Sequence, residues 1–126
     1  MTSPIAEQLA VRDVDIILGI ARAGLFPATA VACALRVELY PVRLSRREGD
    51  TVKHESPQWH VHVPEAVAGK RVAIVDEMTD TGETLRIATA AARDHRAKEG
   101  FTASHMAHTW AIPPPDIVAQ TTDALI

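Results

Sequence analysis

Short apolar runs alternate along the chain with alanine-rich or polar stretches, and their spacing predicts strands and helices in turn. Residues 15–20, D-I-I-L-G-I, are almost continuously apolar, the pattern of a strand covered on both faces. A-R-A-G breaks that run. Leu25 to Leu35 follows, rich in alanine and with Pro27 where a first helical turn tolerates it, and predicts a helix. A second strand is expected over Val37 to Leu44, where Pro41 implies an edge position or a bulge. Trp59 to Val63 alternates as W-H-V-H-V and reads as a short strand, Gly69 as a turn, and Arg71 to Val75, R-V-A-I-V, as another buried strand. The longest helical stretch runs from Gly82 to Glu99, carries Leu85, Ile87, Ala88, Ala91 and Ala92, and is closed by Gly100. Phe101 to Trp110 is expected as a strand, Ala111 to Asp116 as a proline-rich connection, and the tail from Ile117 as one or two short strands.

Strands alternating with helices predict an α/β fold, a Rossmann-like parallel sheet flanked by helices. Ligands bind such sheets at the carboxyl ends of the strands, so the loops after Ile20 and Val75 matter most. A third segment stands apart. Ser45 to Gln58 has almost no apolar content and no period, and a connection of that length in a compact domain is usually a functional lid.

Composition narrows the class. With 126 residues, 47% apolar and 23% charged, the chain is expected to form one globular domain, residues 1–126, without disulfides or a structural metal. The lone Cys33 cannot form an internal bridge, which points to a reducing compartment, and its place in an apolar helix predicts an inert thiol. A net charge of −3 lacks the basic excess of a dedicated nucleic-acid binder. The weakly polar stretch from Ala23 to Leu35 is interrupted by Pro27 and is shorter than the ~20 residues that span a bilayer. Met1 to Ala10 has no cationic head before an apolar run, so a cytoplasmic protein is expected, with neither nucleic acid nor membrane as partner.

The chemistry concentrates after Val75, in D-E-M-T-D-T-G-E-T-L: two adjacent carboxylates, then a small-residue loop that opens a helix. Unpaired backbone N–H groups and the hydroxyls of Thr81 and Thr84 at a helix N-terminus make an anion site. Each charge-assisted hydrogen bond there contributes about 1.5–3 kcal/mol, and a phosphate fits. Asp76 and Glu77 cannot bind that phosphate, but they suit a hydroxyl pair or a magnesium ion shared with substrate oxygens. Phosphate beside a diol suggests a ribose 5-phosphate. A P-loop is excluded because Glu83 stands where that motif needs lysine, and an aspartic protease half because an alanine-rich helix follows Asp80-Thr81-Gly82. Simple helix capping by Asp80 or Thr81 leaves the acidic pair unexplained.

Val72 to Leu85, V-A-I-V-D-E-M-T-D-T-G-E-T-L, resembles the phosphoribosyl-pyrophosphate (PRPP) motif of type I phosphoribosyltransferases. By that resemblance Asp76 and Glu77 hold the ribose hydroxyls, and metal only indirectly, through the substrate. Thr81, Gly82, Glu83 and Thr84 wrap the 5-phosphate, and Asp80 lies near the base as proton acceptor. Glu83 takes a variable position where lysine is frequent; the loop binds largely through backbone amides. Gly19 to Gly24, G-I-A-R-A-G, taken alone looks like a degraded dinucleotide fingerprint, but is similar to the same family's pyrophosphate loop, G-I-A-R-G-G, with Ala23 replacing a glycine. Ala21, Arg22 and Ala23 would then grip pyrophosphate, with a strained or cis peptide near Ala21-Arg22.

Leu39 to Arg47 is similar to the strand and loop entry of the xanthine and hypoxanthine-guanine branch, which makes 45–58 the mobile catalytic loop, with Arg43, Arg46, Arg47, Lys53 and His54 folding over the leaving group. His108 aligns with a lysine that meets the base's exocyclic oxygen in related enzymes. The hood, about 111–126, would bring Leu125 and Ile126 to the base; leucine offers no π face. The resemblance implies Mg²⁺-dependent transfer of the 5-phosphoribosyl group from PRPP to a nucleobase, a 6-oxopurine in the nearest branch, with release of pyrophosphate, and a homodimer. Two alternatives stay open: a non-catalytic PRPP or nucleotide-binding regulator, and a non-purine acceptor. His60, His62, His105 and His108 have paired spacings, but no cysteine or carboxylate cluster completes a zinc set. Trp59 and Trp110 read as core or interface residues.

Overall fold

A computed structural model describes residues 4–45, 47–48, 51–52 and 57–123. A six-stranded sheet carries the fold, in the spatial order β5-β2-β1-β6-β7-β8. These are β1 (Ile16–Ile20), β2 (Glu38–Ser45), β5 (Gln58–Val61), β6 (Arg71–Thr79), β7 (Glu99–His108) and β8 (Ile117–Thr122). β1, β2, β6, β7 and β8 run parallel, and β5 pairs antiparallel on β2, so the expected α/β sheet is present with one reversed edge. All five residues of β1 are buried, as a central strand covered on both faces requires. Pro41 is tolerated because β5 pairs only with Arg43 to Ser45, and the register shifts between Arg43 and Leu44.

Strand parity divides the core in two. Even-numbered Ile16, Leu18, Val72 and Ile74 face helix α3 (Glu83–Asp94) and its Leu85, Ala88 and Ala92. Odd-numbered Ile17, Ala73, Val75 and Ala103 face α1 (Pro4–Ala10) and α2 (Leu25–Leu35). Helix α2 approaches β1 so closely that a Cβ on Gly19 would lie 2.7 Å from that of Ala28. Its outer side remains apolar: Phe26 is 81% exposed, and Cys33 is exposed rather than enclosed in the helix.

Several expectations are corrected. Helix α3 ends at Asp94, not near Gly100, because Arg96 takes a left-handed φ of 67°. The Ala97 N–H bonds Ala92 O at 3.0 Å and the Arg96 N–H bonds Arg93 O at 2.8 Å, a Schellman closure built without glycine. Gly100 instead pairs with Val72 inside the sheet. β6 runs four residues beyond Val75, to Thr79, because β7 continues to pair with it after β1 has turned away. The polar segment carries a small hairpin, β3 (Arg47–Glu48) on β4 (Thr51–Val52), and Arg43 belongs to β2 rather than to the loop. Arg46, Lys53, His54, Leu125 and Ile126 lie outside the described residues.

Candidate active site

From β1 the chain moves to β2 on one side of it; β6, β7 and β8 lie on the other, so the strand order reverses between β1 and β6. Loops that leave two such strands part to opposite sides and open a crevice at their carboxyl ends. The loop after β1 is Ala21 to Gly24, and the Ala21–Arg22 peptide is cis, where the sequence resemblance places one. Arg22 is exposed, and its carbonyl accepts the Leu25 N–H at 3.0 Å as α2 begins. Ala23 keeps an ordinary negative φ, so the replacement of glycine there costs no backbone strain. Gly24 cannot be replaced as freely: a Cβ would lie 2.4 Å from Ile20 O and 3.2 Å from the Asp76 Cα. That contact joins the two loops at the acidic pair.

Asp76 and Glu77 occupy strand positions, and period-two alternation sends their side chains to opposite faces of the sheet. Asp76, with Met78, lines a cavity of about 470 Å³ on the α3 face. Its wall also includes Asp80, Thr81, Gly82, Glu83 and Thr84, together with Ser45 and Pro57 at the two ends of the expected lid. Glu77, Ala21, Arg22, Ala23 and His108 are not part of that wall. Burial pushes the Asp76 carboxyl up to about 6, against which the backbone N–H groups of Glu77 and Met78 act and to which the neighbouring Glu77 charge adds. The Glu77 N–H donates to Asp76 Oδ1 at 2.8 Å.

The loop into α3 turns at Gly82, whose φ of 92° is open to glycine and strained for other residues. There is no room for a Cβ either, since Pro113 O and Ile112 O would lie 2.8 and 2.9 Å from it. The Ile112 N–H donates to Thr81 O at 2.9 Å, so the proline-rich connection braces the loop from outside. Thr81 Oγ1 accepts the Glu83 N–H at 3.3 Å, and Thr79 is buried with no hydrogen-bond partner for its hydroxyl among the described residues. Thr81 to Thr84, at the start of α3, thus line the same cavity as Asp76, an arrangement able to hold an anion and a hydroxylated carbon skeleton side by side.

Asp80 carries a cluster that the sequence did not disclose. Its Oδ1 accepts the indole N–H of Trp110 at 2.9 Å and lies 3.0 Å from His108 Nδ1. The two rings stack, 4.3 Å apart and 8° from parallel. Trp110 is therefore not a core residue but a half-exposed donor, and His108 is buried at the end of β7. The only prior signal was the H-x-W spacing, which puts both residues on one side of an extended chain. His62 goes elsewhere, its ring centroid 4.2 Å from that of Trp59 and 5.2 Å from that of His95.

A mostly parallel sheet with a crevice at its switch point and a glycine-turned loop into a helix defines an α/β fold of the kind that seats ligands at the carboxyl edge of its strands. The chain belongs to the phosphoribosyl transferase domain family, which it matches over residues 3–119. It is 34% identical, over 97 residues, to an adenine phosphoribosyltransferase of Alkaliphilus oremlandii (strain OhILAs), covering 71% of this chain and 56% of that protein. A purine phosphoribosyltransferase from Pyrococcus horikoshii Ot3 shares the structure with a TM-score of 0.84 at 30% identity, over 94% of this chain and 79% of that one. A hypoxanthine phosphoribosyltransferase from Trypanosoma cruzi shares the fold at 14% identity, with a TM-score of 0.78 over 95% of this chain and 71% of that one. The chain spans about half the length of the curated relatives it matches, 56% in each case. Among the described residues no helix is long and apolar enough to cross a membrane.

Proposed function

We propose that the protein transfers the 5-phosphoribosyl group of PRPP to a purine base and releases pyrophosphate. The observation that carries this reading is the shared cavity, lined both by Asp76 and by the Thr81-Gly82 turn into α3. A 5-phosphate takes the amides from Thr81 to Thr84, and the ribose hydroxyls donate to Asp76 and Glu77 from the two sides of β6. Arg22, exposed across the crevice, takes the pyrophosphate. As the bond from C1 to pyrophosphate oxygen breaks, a ring nitrogen of the base bonds C1 and yields its proton to Asp80. The hairpin β3–β4, rooted at Ser45 and Pro57 on the cavity rim, covers the site and excludes water.

The donor set fits magnesium in one way. Among the described residues no group of three or more His, Cys, Asp or Glu side chains gathers to hold a metal, and Asp76 and Glu77 leave their strand on opposite sides. An ion that keeps water and substrate oxygens as ligands suits that pair, which holds it through the ribose hydroxyls. When bound, it neutralises the departing pyrophosphate. The outward apolar side of α2, with Phe26, is the surface a homodimer would cover in the cytoplasm.

The 6-oxopurines are the first acceptors by sequence resemblance, and adenine is tested beside them because curated relatives carry that base in their names. The experiment titrates PRPP and Mg²⁺, then follows pyrophosphate release with hypoxanthine, guanine, xanthine, adenine and a pyrimidine. Release with a purine is the expected result. Tight PRPP binding without turnover on any base would make the protein a regulator, and turnover on the pyrimidine alone would overturn the purine assignment.

A further inference from the structure

We infer that His108 and Trp110 are positioning residues for Asp80, serving the reaction through that carboxylate rather than by touching the base. The inference rests on the proposed proton transfer and deepens it. Asp80 sits in the loop between β6 and α3 with its side chain 66% exposed, where a carboxylate ordinarily rotates freely in water. Here one oxygen is occupied twice. The indole N–H of Trp110 and the Nδ1 of His108 meet Oδ1 at 2.9 and 3.0 Å. The indole bond is aligned, whereas the Nδ1 contact is close but off the hydrogen-bond line. A carboxylate only accepts, so we assign the hydrogen to Nδ1, brought into line by a small turn of the exposed Asp80 side chain. One aligned donor and one ring nitrogen close against the same oxygen restrict the rotation of the carboxylate and leave Oδ2 as the acceptor that can face a substrate.

The donors are themselves held. His108 is 6% exposed and pairs with Thr122 across β7 and β8, where the Thr109 N–H also bonds Thr122 O at 2.9 Å. Trp110 lies flat on the imidazole, so a shift of either ring disturbs both contacts with Asp80. A lysine at position 108 would supply a mobile charge able to reach a ligand. A buried imidazole with Nδ1 already committed to Asp80 is instead a fixed orienting group.

Three substitutions in the full chain separate the roles. His108→Phe keeps a ring beneath Trp110 but removes the donor; His108→Asn places an amide N–H close to where Nδ1 stood; Trp110→Phe keeps the stack and removes the indole N–H. His108→Phe and Trp110→Phe are each expected to lower kcat about tenfold or more, while the KM values for base and PRPP stay within about twofold. His108→Asn should recover most of that loss. A His108→Phe enzyme with unchanged kcat and raised base KM would overturn the inference and make the imidazole a reader of the base. So would a His108→Asn enzyme no better than His108→Phe.

An independent measurement needs no turnover. Imidazole ¹⁵N spectra of the free protein should show the His108 proton on Nδ1, and Asp80→Asn should shift both that signal and the Trp110 indole signal, whereas Glu65→Gln should move neither. A proton on Nε2 with Nδ1 bare would refute the arrangement. If no base is turned over, the proposed function fails while this spectroscopic result still decides the geometry.

Discussion

Replacing Asp76 with Asn should make the protein more stable and less able to bind its ligand at once. The carboxyl is raised from its ordinary 3.8 to about 6, chiefly because the fold withdraws it from water. Between those two values the unfolded chain is ionised and the native chain is protonated, so the native state binds the extra proton and loses stability as pH rises. Above about 6 the native state carries the whole cost of the buried charge. At about 1.4 kcal/mol per tenfold change in proton affinity, that cost approaches 3 kcal/mol, an upper bound because the cavity leaves one edge of the group open. Asparagine keeps the oxygen that accepts the Glu77 N–H at 2.8 Å and never ionises. Thermal unfolding of both proteins from pH 4 to pH 8 should therefore give nearly equal midpoints at the acid end and diverge upward, the variant melting as much as about 10 °C higher at pH 8. PRPP affinity, measured by calorimetry at pH 8, should fall about tenfold or more, because a neutral amide accepts the ribose hydroxyls less strongly than a carboxylate. Parallel melting curves across the whole range would show that Asp76 carries no buried-charge penalty and would sink the reasoning.

Gly82→Ala should cost at least about 1–3 kcal/mol and weaken PRPP binding together, since the new methyl meets Pro113 O and Ile112 O below 3 Å at a φ of 92°; chemical denaturation with PRPP titration reads both. Arg22→Ala, at an exposed position outside the core, should leave the melting temperature within about 2 °C and raise the KM for PRPP about tenfold. An unchanged KM would remove Arg22 from the pyrophosphate site. Phe26→Glu should convert a dimer to monomers in sedimentation velocity with little loss of secondary structure by circular dichroism, because the side chain is 81% exposed within one chain.

Much of this architecture could be read from local pattern. β1, β2, β6, β7 and α2 follow from apolar runs and breakers, and the D-T-G-E-T loop from its place between a buried strand and an alanine-rich helix. What stayed hidden depends on distant neighbours. Seven residues are too few to show a helical period, so α1 emerges only because Ile5, Ala6 and Leu9 find a core made by α2, β7 and β8. The end of α3 was misplaced because an arginine, not a glycine, takes the left-handed turn. The length of β6 is set by β7, whose residues lie 28 positions away in the ladder, as in Arg71 opposite Glu99. The chemistry of Asp80 was half legible in the same sense. Its loop is a local motif, but its two neighbours come from the far end of β7, and nothing in their own surroundings marks a tryptophan there as a hydrogen-bond donor rather than filler.

The contact between Gly82 and the carbonyls of Ile112 and Pro113 makes two stretches of chain, thirty residues apart, into one fitted surface. A longer side chain on either would have to be answered by a retreat in the other, so positions 81–83 and 112–113 are expected to vary in concert across descendants of this gene. The corner proposed to receive the anion is then inherited as a matched pair of segments, and a graft of the loop alone into another scaffold would arrive without the backing that gives it its shape.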